Sequence, residues 1–245
     1  MQPSLDTQRR TIRTLIAMNA TLVATLFVML LSGFGRRTHA DPVLSVERLN
    51  IVDSTGRPVL VLANGPRLPG AAFHGKEYPQ SFVDRGRAAG MIFYNAVGDE
   101  VGGLIYDGAP RDSGYSAMEH LSFDQWQQTQ VVALTYSDDG KARMAGLRIW
   151  DRPNTPLEQQ FAAAERFTTA TGSRRDSLRT EMNAARNRVA GTQRVFVGSE
   201  NRNASVELRD PSGRVRARLA VDSAGTAQLQ FLDEQGHVTA KYPNR

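Results

Sequence analysis

Two pairs of side chains in this chain have the types and spacing that acid–base chemistry uses. Asp99 and Glu100 are adjacent carboxylates following Gly98, and His120 and Asp124 flank the run Leu121-Ser122-Phe123. A glycosidase needs only two carboxyl groups at a suitable separation, and Asp84, Asp107 and Asp124 are the further acids that such a site can draw on. Neighbouring residues on a strand point to opposite faces, so at most one of Asp99 and Glu100 faces a given cleft. Exposure is the norm for acids, so the pair is expected to be solvated turn charges. Even spacing on a strand puts His120 and Asp124 on one face, where a surface contact is the ordinary reading.

Other chemistries lack their residues. The chain has 245 residues and no cysteine, which removes disulfides, thiol nucleophiles and thiolate metal sites. Its four histidines, His39, His74, His120 and His237, form no H-E-x-x-H, and no G-x-S-x-G elbow, phosphate-binding loop or dinucleotide fingerprint occurs. No cofactor, metal site or catalytic residue is therefore assigned. The net charge is +5, but residues 1–41 hold Arg9, Arg10, Arg13, Arg36 and Arg37 against Asp6 and Asp41. The remainder is close to neutral, which argues against specific nucleic-acid binding.

Candidate binding residues come from three places. Residues 64–90 form a long stretch with little periodicity, and long irregular segments are often functional. Its polar members are His74, Lys76, Tyr78, Asp84, Arg85 and Arg87. Trp126 sits in the polar context DQWQQTQ, where an exposed ring offers a stacking surface. Arg214, Arg216 and Arg218 alternate on one strand with Arg209 across the turn, a cluster that can hold phosphates or carboxylates of an envelope polymer. Glu207 is expected to approach one of these arginines and neutralise part of the cluster. A solvated strand face that resists edge pairing is the plainer reading.

These residues must be positioned by strands. An apolar alternating run, then Asp/Asn/Ser-x-x-Gly, then a second run recurs at Asp53–Gly56, Asn95–Gly98, Ser137–Gly140, Asp210–Gly213, Asp222–Gly225 and Asp233–Gly236. The short side chain can bond the backbone two residues on, and glycine supplies the positive φ that closes a type I turn with a bulge. Too few oxygen ligands follow each acid for a calcium loop. In the last hairpins Val206, Leu208, Val215, Ala217, Leu219 and Val221 share one face with Ala227, Leu229, Phe231, Val238, Ala240 and Tyr242. That face is expected to be buried.

The fold class is thus mainly β, with antiparallel hairpin repeats in a meander or sandwich, a helical hairpin insertion and an N-terminal transmembrane helix. The expected segments are a tail over 1–13, a membrane helix over 14–34, hairpin repeats over 42–153, a helical insertion over 154–193 and a β-meander over 194–245. In the insertion, Leu157, Phe161 and Ala164 fit one helical stripe and Leu178, Met182, Ala185 and Val189 another, with Thr171-Gly172-Ser173 between. Packing on the sheet is the plain expectation for such stripes.

Thr14 to Phe34 is free of charge, and its 21 residues reach about 31 Å as a helix, the thickness of a hydrocarbon core. Asn19 can reach an interface or a partner helix. Thr38-His39-Ala40 before Asp41 offers a signal-peptidase pattern, but the apolar run is longer than a signal peptide's. An uncleaved anchor with a cytoplasmic N-terminus and an exported C-terminal part is expected, because long domains translocate largely regardless of charge.

The run VERLNIVDSTGRPVLVLAN, the AGMIFYN and GGLIY segment, HLSFDQW, AGLRIWDRP and the closing hairpins resemble an uncharacterised group of bacterial proteins with one N-terminal membrane segment. The resemblance covers most of residues 45–153 and 194–242. It implies the inner (cytoplasmic) membrane of a bacterium and supplies no activity. The function expected is a non-enzymatic, membrane-anchored binding or scaffolding module of the envelope, with an envelope polymer or protein as partner. Two alternatives stand beside it: an envelope polymer hydrolase using carboxylates near 64–90, and anionic-polymer binding through the arginine face.

Overall fold

The computed structural model describes residues 5–34, 43–83 and 85–244, so Asp84, Arg36, Arg37 and the Thr38-His39-Ala40 pattern lie outside the described residues. The chain falls into two compact units, residues 1–45 and residues 46–245.

The first unit holds α1 (Leu5–Phe34), which extends back through Arg9, Arg10 and Arg13. It is long and apolar enough to cross a membrane, as an anchor or as a signal sequence. The Asn19 side-chain amide donates to the Leu15 carbonyl at 3.0 Å, and the Thr14, Thr21 and Thr25 hydroxyls each donate four residues back. Satisfying these groups inside the helix lowers their cost in hydrocarbon.

The second unit is mainly β. Twelve strands form one antiparallel sheet in chain order. They are β1 (Arg48–Val52), β2 (Pro58–Ala63), β5 (Ala89–Tyr94), β6 (Glu100–Arg111), β7 (Gly114–Asp124), β8 (Gln130–Asp138), β9 (Arg143–Asp151), β10 (Thr192–Glu200), β11 (Asn203–Arg209), β12 (Val215–Val221), β13 (Ala227–Leu232) and β14 (Val238–Tyr242). Between β2 and β5 a hairpin of two short strands, β3 (Ala72–Phe73) and β4 (Lys76–Glu77), stands apart from the main sheet. The helical hairpin α2 (Glu158–Thr169) and α3 (Gly172–Val189) sits in the connection between β9 and β10, which pair directly across it. Of its apolar stripes, Phe161, Ala185 and Val189 are buried.

Five of the six repeated turns close as expected. The glycine N–H donates to the carbonyl of the first residue at Gly56, Gly98, Gly213, Gly225 and Gly236, each with φ between 82° and 88°. The first side chain accepts from the backbone two residues on, as Asp53 Oδ1 does from Thr55 at 2.8 Å and Asp222 Oδ1 from Ala224 at 3.0 Å. The turn read at Ser137–Gly140 is shifted. Ser137 still pairs within β8, and the acids that close the turn are Asp138, accepting from Gly140 N–H, and Asp139, accepting from Lys141 and Ala142. An acid with one more backbone donor in reach displaces the serine.

One expectation about the meander fails. The register puts Val206, Leu208, Ala217, Leu219, Val221, Ala227, Leu229, Phe231, Ala240 and Tyr242 on one face, while bulges pair Val215 with Arg209 and Val238 with Leu232 instead; yet Leu208 is 51%, Leu219 53% and Phe231 49% exposed. The segment between β2 and β5 and the start of α2 cover the opposite face, where Val61, Ile92 and Ala133 are buried. Among the described residues no second layer lies over the apolar side. Within one chain the described strands form an open sheet and not a sandwich.

Candidate functional site

A half-enclosed cavity of about 290 Å³ lies between the covered face of the sheet and the overlying segment. Its floor is built by side chains at even spacing on β7, namely His120, Ser122 and Asp124, beside Gly103 and Ile105 of β6. Its roof is apolar, with Phe73, Val83, Leu157 and Phe161. Phe161 packs against Phe73 with ring centroids 5.4 Å apart and against Tyr78 at 5.1 Å, which ties α2 to the β3–β4 hairpin.

Glu100 reaches this cavity because of a bulge. Phe93 pairs with Gly102 but Tyr94 pairs with Glu100, so Val101 is the extra residue. Without that slip Glu100 would share the face of Gly102 and Leu104; with it Glu100 joins Gly103 and Ile105. There the two guanidinium-facing oxygens of Glu100 both accept from Arg85 Nη2, and Arg85 Nη1 donates to the Pro69 carbonyl at 2.5 Å. Both side chains are nearly buried. Burial pushes the Glu100 carboxyl up, and Arg85 opposes it.

Asp124 is held differently. Burial raises its carboxyl to about 7, the Glu100 charge adds to the rise, and Arg85 and Arg152 oppose it. Among the described residues no side chain hydrogen-bonds it. Arg152 is itself committed through Nε to the Gln130 carbonyl at 2.8 Å. His120 Nδ1 lies 3.0 Å from Thr135 Oγ1, and burial pushes its imidazole below the usual range, so it is neutral at pH 7. The rim is pinned by Gln128, whose amide donates to Thr155 O at 2.8 Å. The cavity therefore offers one unpartnered acid near neutrality, one neutral imidazole and a hydroxyl, against apolar walls.

The expectation that Asp99 and Glu100 are solvated is corrected. Asp99 is fully buried; its carboxylate accepts from His74 N–H at 2.7 Å and its own N–H donates to Asn95 Oδ1 at 3.0 Å, so its role is to fasten the β3–β4 turn onto the Asn95–Gly98 turn. Gly98 and Gly75 touch there so closely that a Cβ on Gly98 would lie 2.7 Å from Gly75 N. His120 and Asp124 do share a face, but it is the covered one, not a surface.

Of the other candidate residues, only Arg85 lines the cavity. His74 has φ 50° in the β3–β4 turn, with its ring 3.7 Å from Asp99 and 3.8 Å from Glu158. Lys76 pairs with Glu165 at 2.9 Å and lies over the buried Tyr78 ring at 4.5 Å. Arg87 is exposed and 3.7 Å from Asp107, and Trp126 is 63% exposed on the turn beyond β7. Arg214 pairs with Asp210 and Glu234, Arg216 lies 3.7 Å from Asp210, and Glu207 bridges Arg218 and Arg209. The arginine face is thus internally compensated. Arg152, one residue beyond β9, and Gln128, in the turn between β7 and β8, carried no sequence signal.

Among the described residues no group of three metal-ligating side chains comes together. No family profile, curated protein or solved structure matches this chain.

Proposed function

We propose that this chain is a membrane-anchored binding module of a bacterial envelope, held by an uncleaved α1 with its N-terminus cytoplasmic and its β unit exported. The cavity is where it takes a small ligand, a compact apolar body carrying a protonated amine. The observation behind this reading is the asymmetry of the two acids. Glu100 is already neutralised by Arg85, whereas Asp124 is accessible from the cavity and has no side-chain partner. An ammonium group would supply the missing partner and pull the Asp124 carboxyl down, while Phe73, Ile92 and Phe161 take the apolar body.

The test is thermal unfolding of the full chain in nonionic detergent with cyclohexylamine, cyclohexanol or cyclohexanecarboxylate as probe. The amine should stabilise, more at pH 8 than at pH 5.5, and Asp124→Asn should abolish the effect. Equal shifts from the amine and the carboxylate would remove the basis for the proposal. A carboxyl near 7 also suits a general acid, which favours the hydrolase as second reading. Against it, Glu100 is locked to Arg85 and poorly placed to act as nucleophile or base. Release of soluble fragments from purified peptidoglycan, lost in Asp124→Asn, would decide for the enzyme.

A further inference from the structure

The uncovered face of the sheet carries two unbroken apolar rows. In direct cross-strand register, Leu49 meets Leu62, then Met91, Leu104, Leu121 and Leu134. The row continues through Leu147, Val197, Val206, Leu219 and Leu229 to Tyr242. The second row runs beside it from Ile51 to Ala240, through Phe93, Phe123, Ile149 and Phe231, with Gly102 as its one position lacking a side chain. Neither row contains a charged residue, and no side chain in either row is buried. Leu134 is 56% and Phe123 53% exposed.

Such a face needs a cover. Monomeric proteins rarely expose contiguous apolar patches beyond a few hundred Å². Twelve strands about 4.8 Å apart, with two rows at about 6.8 Å spacing, make a band of roughly 14 by 55 Å, on the order of 800 Å². Over β10 to β14 the other face is polar, carrying Glu207, Arg218, Gln228 and Lys241. That part of the sheet has no apolar layer on either side, and a single sheet is not a stable arrangement alone in water.

We propose that this face is a homodimer interface, with the sheet of a second copy stacked on it as the other half of a sandwich. Area favours a second copy. Full overlap of two such bands buries on the order of 1,500 Å² in total, the size of a standard specific interface, and two-thirds overlap still reaches the threshold of about 1,000 Å². Shape and charge agree: an uncharged band of nearly constant width is complementary to itself under a two-fold rotation, and sheets packed this way lie about 10 Å apart.

The absence of cysteine makes the test clean. Single Leu134→Cys and Leu147→Cys variants place a thiol at the middle of the band, and Gln228→Cys places one on the polar face. In membranes bearing the full chain, oxidation or a short bis-maleimide should convert the two central variants to covalent dimers at least tenfold more than Gln228→Cys. In parallel, native mass spectrometry of the detergent-solubilised wild type should give two copies, and Leu134→Lys should lower the dimer-dependent cross-linking of Leu147→Cys at least tenfold with near-ultraviolet circular dichroism retained. Because the cysteine variants carry the answer, misfolding of the lysine variant does not blunt it. Cross-linking no greater at Leu134 and Leu147 than at Gln228 overturns the proposal, as does a single copy per particle with bound phospholipid, which would assign the band to acyl chains.

Discussion

Asp124→Asn gives the cavity a quantitative test. Asparagine keeps the shape of the protonated carboxyl and removes the ionisation. In the folded protein the Asp124 carboxyl titrates near 7, against 3.8 in an unfolded chain. Between about pH 4 and 7 the folded state holds a proton that the unfolded state has released, so stability falls as pH rises through that window. Roughly three pKa units at 1.36 kcal/mol each put the full penalty above pH 7 at about 4 kcal/mol. His120 works the other way, since its lowered pKa costs stability as pH falls, and Asp53 and Asp138, both lowered to about 2, act only at lower pH. Comparing variant with wild type cancels those contributions. Chemical unfolding of the full chain in nonionic detergent, followed by near-ultraviolet circular dichroism from about pH 4 to 8.5, should show the gap between the two curves closing toward the acid end and Asp124→Asn more stable by up to about 4 kcal/mol at pH 8.5. Parallel curves would refute the reasoning, because they would mean that the Asp124 carboxyl is ionised throughout.

Arg85→Met should destabilise by about 3–5 kcal/mol by leaving Glu100 buried and unpaired, and Arg85→Met with Glu100→Gln should recover most of it; unfolding midpoints of both variants check this. Gly225→Ala meets open space and costs only the strain of a positive φ, about 1–2 kcal/mol, whereas Gly98→Ala adds a clash with the Gly75 backbone and should lower the unfolding midpoint markedly more. Phe161→Ala should cost about 3–5 kcal/mol, since it removes the ring that joins α2 to Phe73 and Tyr78. An anchored chain should remain with membranes through alkaline carbonate washing and show an intact mass beginning before residue 14; a product starting at Asp41 would show cleavage.

The hairpins were legible because each turn is a local event: an acid, two residues and a glycine contain all the donors and acceptors that the turn needs. The sharing of faces in the meander was legible within each regular run, where the period of two holds, but not across the bulges that pair Val215 with Arg209 and Val238 with Leu232. Burial was not. Alternation says that Leu208, Leu219 and Phe231 share a side, and only the rest of the molecule says whether anything covers it. The cavity was half visible. The even spacing of His120 and Asp124 placed them together, but Glu100 joins them through the extra residue Val101, and a bulge leaves no mark in the alternation. Arg85 stood out only as one of several polar residues in an irregular segment, because its partner lies on a strand that the segment folds over.

The bulge at Val101 has counterparts at Val59, Arg216 and Thr239, each three residues past the turn glycine. Ile51 therefore meets Leu60, Phe93 meets Gly102, Leu208 meets Ala217 and Phe231 meets Ala240, always nine positions on. This fixes which insertions and deletions the gene can tolerate. Loss of one codon in such a loop would turn every later side chain to the opposite side, exposing arginines where leucines belong. Gain or loss of a whole pair of strands leaves both flanks in phase, so over generations the sheet is free to lengthen or shorten only by complete hairpins.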